Sequence, residues 1–195
     1  MIGQEGVCRA LVQRLNECLP TECALVAQNS GLRNVFPVPR PENVYPYWTD
    51  LLDSLDKLPA IMVMIEDTDT ITAARTADLE AEEDQYAHQY PVVVAILNTG
   101  AHYGETELHR QRLMLAVRNL LLRSPLLIPG ESDTARIDTD TLKESPTFGA
   151  QNQETAQWLL ESALRVTVRT YETLEVLDKG PRVNLTHQER LIDDE

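Results

Sequence analysis

The chain has 195 residues and carries 31 acidic against 17 basic side chains, a formal net charge of −14. That balance opposes a face built to neutralise phosphates, but not a place beside DNA that must slide past without sticking. The length suits one domain with long excursions and buries enough surface to need no staple. The three cysteines (Cys8, Cys18, Cys23) form no C-x-x-C pair, so they read as small core residues in a reducing compartment.

The opening "MIGQEGVCRALVQRL" holds no uninterrupted apolar block, so neither a signal peptide nor a membrane span is expected, and the protein reads as soluble and intracellular where it is made. Val7, Ala10, Leu11, Leu15, Cys18 and Leu19 recur at spacings of three and four, which predicts an amphipathic helix from about Gln4 to Leu19, stopped by Pro20. "CALVAQ" (Cys23 to Gln28) reads as a short strand ended by Asn29-Ser-Gly. From Ser30 to Lys57 the chain is irregular: Pro37, Pro39, Pro41 and Pro46 stand beside Phe36, Tyr45, Tyr47 and Trp48. Proline this dense excludes a helix or a central strand. Either the segment is a binding loop with an aromatic surface, or it is a stiff coil whose rings cover a core edge; the second is favoured. A short helix is expected at Thr49 to Leu58.

"AIMVMI" (Ala60 to Ile65) and "PVVVAIL" (Pro91 to Leu97) are apolar on both faces, as central strands of a covered sheet are. Between them, Glu66 to Asp84 holds eight acids and one base, Arg75. Ile71, Ala73 and Thr76 can continue the first strand outward, so a projecting antiparallel hairpin with a mobile acidic tip is favoured over a disordered loop. Next comes "NTGAHYGETELHR" (Asn98 to Arg110). Asn98-Thr-Gly is turn chemistry, Gly104 permits a second bend, and Glu105 and Glu107 suit the first turn of a helix. His102 and His109 are seven apart, but His102 precedes the helix. No H-E-x-x-H, H-x-x-E-H or H-x-E…C-x-x-C pattern is present, and the other histidines are only His88 and His187. The stretch reads as a turn, with no metal and no cofactor.

The helix that follows, about Glu105 to Arg123, carries two apolar stripes at 100° per residue. Leu113, Ala116, Val117, Leu120 and Leu121 form a broad one; Leu108, Leu115 and Leu122, spaced by seven, form a second well away from it. The first can pack on a sheet. The second must meet either the first helix, which is favoured, or a neighbouring subunit. Ser124-Pro125 ends the helix, and Pro129-Gly130 opens a polar stretch. "ARIDTDTLKES" (Ala135 to Ser145) supplies a strand and "FGAQNQETAQ" (Phe148 to Gln157) a loop. Trp158 to Ser162 is a helical turn or a strand lead-in, and "ALRVTVRTY" (Ala163 to Tyr171) alternates as a strand with one wet face. The tail after Leu174 reads as an extended arm.

Phosphate-cradling loops and nucleophile elbows are absent, no carboxylate pair is nominated as a general acid, and no residue stands out as a catalyst. The order is helix, strand, long acidic hairpin, strand, glycine-containing turn, amphipathic helix, then two later strands. With "YPVVVAILNTGAHYGETELHRQRLMLAVRNLLL" at its centre and "ALRVTVRTYE" as its closing strand, the chain resembles the tail terminator and tail-completion (neck) proteins of tailed bacteriophages over roughly Gln4 to Glu172. The resemblance implies an α+β fold: a mixed, mainly antiparallel sheet with the N-terminal and central helices packed on one face, plus a projecting β-hairpin. It implies a non-enzymatic structural virion protein, a homo-oligomer of six that caps the tail tube, joins it to the head–tail connector and leaves a channel for DNA. The virion neck is then its place, with host cytoplasm where it is made and no membrane. Residues 1–172 would be one ring-subunit domain, with a proline-rich excursion at 30–57 and an acidic hairpin at 66–90; residues 173–195 would be an arm. Candidate interface residues are Leu108, Leu115 and Leu122 with Asp78, Glu80, Glu82, Glu83 and Asp84. The proline-rich segment and the insertion after Pro125 depart from the smaller members. The alternatives are another neck component (a head-completion, adaptor or stopper protein) and a small metal-dependent hydrolase using His102, His109 and nearby carboxylates.

Overall fold

Apolar residues recur every third or fourth position from Val7 to Ala27, and a single helix, α1 (Gly3–Asn29), buries Val7, Leu11, Leu15, Leu19, Cys23 and Val26 along one face. The computed structural model describes residues 3–32, 36–49, 55–66, 74–76, 83–129, 134–145 and 148–175. α1 overturns two expectations: Pro20 does not stop it, and Cys23 to Gln28 is helix rather than strand. A proline inside a helix loses one backbone bond and crowds the preceding turn, at a cost of about 3 kcal/mol. Pro20, however, lies on the exposed side, while Leu15, Leu19, Cys23, Val26 and Ala27 continue the buried face through it. Burial of large apolar side chains, about 1.5–3 kcal/mol each, outweighs the break. The helix ends where Gly31 adopts a left-handed φ of 68°. The amides of Leu32 and Gly31 fold back to the carbonyls of Ala27 and Gln28, both at 3.0 Å, closing a glycine-based C-terminal cap.

The remaining elements are β1 (Val44–Tyr45), β2 (Ala60–Ile65), β3 (Ala74–Thr76), β4 (Glu83–Gly100), α2 (Tyr103–Arg123), β5 (Leu126–Ile128), β6 (Thr134–Glu144), β7 (Phe148–Gln151) and β8 (Trp158–Glu175). They build one mixed, mainly antiparallel sheet in the order β1-β2-β4-β8-β6-β5, with β3 added beside β4 and β7 beside β8. Among the described strands, β1 alone pairs in parallel, with β2. The protein is an α+β fold with both helices on one face of the sheet. Its main core joins α1 and α2 to Ile61 and Val63 of β2, Val92, Val94 and Ile96 of β4, Leu164, Val166 and Val168 of β8, and Ile137 of β6. Register explains this set, since Val94 stands between Val63 and Leu164, and directly opposed residues share a face. A smaller cluster of Met62, Ala95 and Leu97, with Tyr45, Leu58, Met64 and Leu159 against it, covers part of the other face. The continuously apolar β2 and the apolar half of β4 therefore bury both sides.

The strands at Ala60–Ile65 and Ala163–Tyr171 are present, the second inside the longer β8. Trp158 to Ser162 is strand, settling that alternative. The predicted loop at Phe148 to Gln157 contains β7, which pairs with β8, and β5 is a strand the sequence reading lacked. Of the helix expected at Thr49–Leu58, the described residues show a 3-10 turn at Leu55–Lys57, and residues 50–54 lie outside the described ones. In the proline-rich segment Phe36 and Val44 are buried as a core edge requires, whereas Tyr47 and Trp48 are exposed. The acidic hairpin has its expected antiparallel start: Ala74, Arg75 and Thr76 oppose Ala87, Tyr86 and Gln85. Residues 67–73, with Ile71 and Ala73, and the tip at 77–82 lie outside the described residues, as do His187 and the tail from 176.

Candidate subunit interface

β4 does not turn at Asn98-Thr-Gly; it runs through Gly100, and α2 starts three residues later with His102 as its N-cap. The requirement at Gly100 is space rather than backbone freedom. A Cβ there would overlap Thr106 Oγ1, which donates to His102 O at 2.8 Å and closes the first turn of the helix. Asn98 is buried beneath the same turn, its Nδ2 donating to Thr106 O at 3.4 Å and its Oδ1 accepting from the Thr99 amide at 2.9 Å. Gly104 makes no second bend; it is already helical.

This junction sets the rotation of α2. Leu113, Ala116, Val117, Leu120 and Leu121 face the core as predicted. Arg110, beside that stripe, is buried, and the partly buried Glu107 pairs with it, its two carboxylate oxygens accepting from Arg110 Nε at 2.8 Å and Nη2 at 2.6 Å. These bonds hold the Glu107 carboxyl below its usual range despite the opposing effect of burial. The second stripe is divided. Leu115 is partly buried against the main core, whereas Leu108 is 50% and Leu122 44% exposed. α1 packs on α2, with Glu22 paired to Arg123 at 3.2 Å, but that contact leaves both outer leucines open.

The other candidates lie elsewhere. Glu83 and Asp84 begin β4, opposite Glu175 and Leu174 of β8; Asp78, Glu80 and Glu82 fall outside the described residues. Glu83 and Asp84 thus stand at the opposite end of β4 from the start of α2. The sequence reading also missed several outward groups. Phe148 on β7 is 76% exposed, and Tyr103 stands edge-on to Trp158 at 5.0 Å. On the open face of the sheet, Arg136 of β6 stands directly across from Arg169 of β8, and Lys143 across from Arg165. Between those pairs β6 bulges: Thr141 Oγ1 donates to Asp138 O and accepts from the Thr167 amide, both at 2.7 Å. Register at this level needs the three-dimensional pairing and has no signal in either strand alone.

His102 is exposed, and His109 sits two turns into α2. Among the described residues no three His, Cys, Asp or Glu side chains come close enough to hold a metal ion. Cys8 and Cys23 are buried core residues as expected. Burial raises the Cys8 thiol, and burial with the charge of Glu22 pushes Cys23 up to about 12, so neither is a ready thiolate. Among the described residues no helix is long and apolar enough to cross a membrane.

No protein-family model matches the chain, and no curated protein matches it. Among solved structures it is similar to a chain from the virion of a native gene transfer agent (GTA) particle. The two are 12% identical with a TM-score of 0.31, over 80% of this chain and 94% of the other. A likeness at that TM-score fixes neither topology nor role.

Proposed function

We propose that this chain is a structural virion subunit of a phage-like particle, the tail terminator. Six copies form a ring that ends the tail tube, meets the head–tail connector and leaves a channel through which DNA passes without specific binding. The observation that carries the reading is the pair of half-exposed leucines, Leu108 and Leu122, on a helix whose other apolar face is already buried. A second apolar line left open in this way suits a protein partner. The resemblance in element order points the same way, and a surplus of acid suits a lumen that must not hold phosphates. In this reading residues 1–172 are the ring subunit and 173–195 an arm toward a neighbour or the connector.

Light scattering of the full chain, with electron microscopy of the chain mixed with tail tubes, tests the reading. Discrete rings or decorated tube ends are expected. Leu108→Lys with Leu122→Lys should abolish both while costing under about 1 kcal/mol of folding stability, as surface changes do. A wild-type chain that stays monomeric and leaves tube ends bare overturns the reading. Binding to a connector with tube ends bare reassigns the chain to another part of the neck.

A further inference from the structure

We propose that the hollow beside Phe148 and Glu161, on the open face of the sheet, receives Leu108 and Arg112 from α2 of a second copy of this chain. The proposal rests on the ring reading above and supplies the surface that its exposed leucine meets. Phe148 of β7 stands directly across from Glu161 of β8, and opposed residues share a face. Leu164, Val166 and Val168 turn toward the helices, so Glu161 and Ala163, one residue out of phase, turn the other way. Phe148, Ala163 and Ser145 wall a hollow of about 280 Å³ there, with Glu161 at one end and Arg165 at the other. Arg165 is already engaged: it donates to Glu66 at 2.9 Å and to Ser145 Oγ at 2.6 Å. Glu161 is half-buried and, among the described residues, has neither an ion pair nor a side-chain hydrogen bond. The hollow therefore offers an exposed ring and one unanswered carboxylate.

α2 carries the complement. Leu108 is half-exposed, and Arg112 follows it by four residues, on the same face of the helix. The other arginines of α2 each have a carboxylate: Glu107 for Arg110, Glu144 for Arg118 and Glu22 for Arg123. Arg112 has none among the described residues. Residues four apart on a helix hold their Cβ atoms about 5–6 Å apart, and residues opposed on a sheet hold theirs about 4.5–5.5 Å apart. Leu108 seated against Phe148 thus sets Arg112 against Glu161. Glu105, an unpaired acid on the outer side of α2, precedes Arg112 by seven residues, about 10 Å along the axis, and so leaves that pair undisturbed. The occupant comes from a second copy because a chain's own α2 lies on the opposite face of its sheet. A contact that joins opposite faces is head-to-tail, the kind that a closed ring repeats.

The test uses the full chain and follows association by sedimentation at about 0.1 M salt, where charges more than about 10 Å apart are screened. Glu161→Arg and Arg112→Glu should each weaken association at least about tenfold, as reversal of a close charge pair across an interface does. The two changes together should restore it, because every contact then pairs the swapped charges at the wild-type net charge. Glu17→Arg, on the exposed side of α1, should change little. Circular dichroism checks that each variant is folded, and Glu161→Gln or Arg112→Gln repeats each loss more gently. Single reversals that associate like wild type, or a double variant as weak as either alone, overturn the docking and leave the ring reading standing. Failure of the wild type to associate or to decorate tubes removes the ring reading and the docking with it. Glu161→Arg chains that form rings normally but leave tube ends bare assign the hollow to the tube protein and also overturn the docking.

Discussion

At Gly100 a single missing side chain decides how the helix meets the sheet. Gly100→Ala would press a methyl group into Thr106 Oγ1, so a loss of about 1–3 kcal/mol is expected in a urea titration, as for other overpacked sites. Thr106→Ala removes the obstructing oxygen, so the double variant should lose less than the sum of the two single changes. Strict additivity would show that the junction has moved apart. The glycine was visible in the sequence, but its reason was not, because close approach depends on which residue arrives six positions later. Glu107 makes a second residue-scale case. Arg110 holds its carboxyl below the unfolded value, so the stabilisation is present above that value and is lost as pH falls through the lowered one. Glu107→Gln should therefore cost about 1–3 kcal/mol near neutrality. The gap from wild type should narrow below about pH 4, where carboxylates protonate. A gap independent of pH would mean that packing, not charge, carries the pair. The helix plot had placed Arg110 beside the buried stripe, but its neutralising partner was recognisable only as a dipole-favoured glutamate.

Elements that bury a face along their whole length were legible. Ala60–Ile65 came out with its observed bounds, and α2 and the alternating part of β8 within a few residues, because periodicity reports burial. β7 was not: its residues Phe148 to Gln151 are all exposed, and it exists through backbone pairing to β8. Its turn is closed by Asn152 Oδ1, which accepts from the amides of Glu154 and Thr155 at 2.9 and 3.1 Å. α1 was cut in two because a local breaker was weighed without the burial on either side of it. That balance is measurable. An interior proline is about 3 kcal/mol worse than alanine in a helix, and about 0.4–1 kcal/mol of that is offset by its stiffening of the unfolded chain. Pro20→Ala should accordingly raise stability by about 2 kcal/mol. No gain would show that α1 is bent at Pro20 in a way its packing requires.

For the molecule as a whole, the outward groups are of different kinds and in different places: two apolar side chains on α2, and paired cations on the open face of the sheet. A contact between unlike patches is head-to-tail, and repetition of such a contact either closes a ring or runs on as a filament. Each chain carries a net charge of −14, but salt screens that charge beyond about 10 Å, so it is the rotation between neighbours, not repulsion, that chooses between the two. In the proposed ring of six the full chain should scatter light at one discrete mass, six times 22.0 kDa, over a broad range of protein concentration. The Leu108→Lys, Leu122→Lys chain should fall to the monomer mass with its unfolding transition retained. A mass that climbs steadily with concentration would mean that the rotation between neighbours does not close. A discrete mass of two chains would mean a self-complementary contact, in which like patches meet.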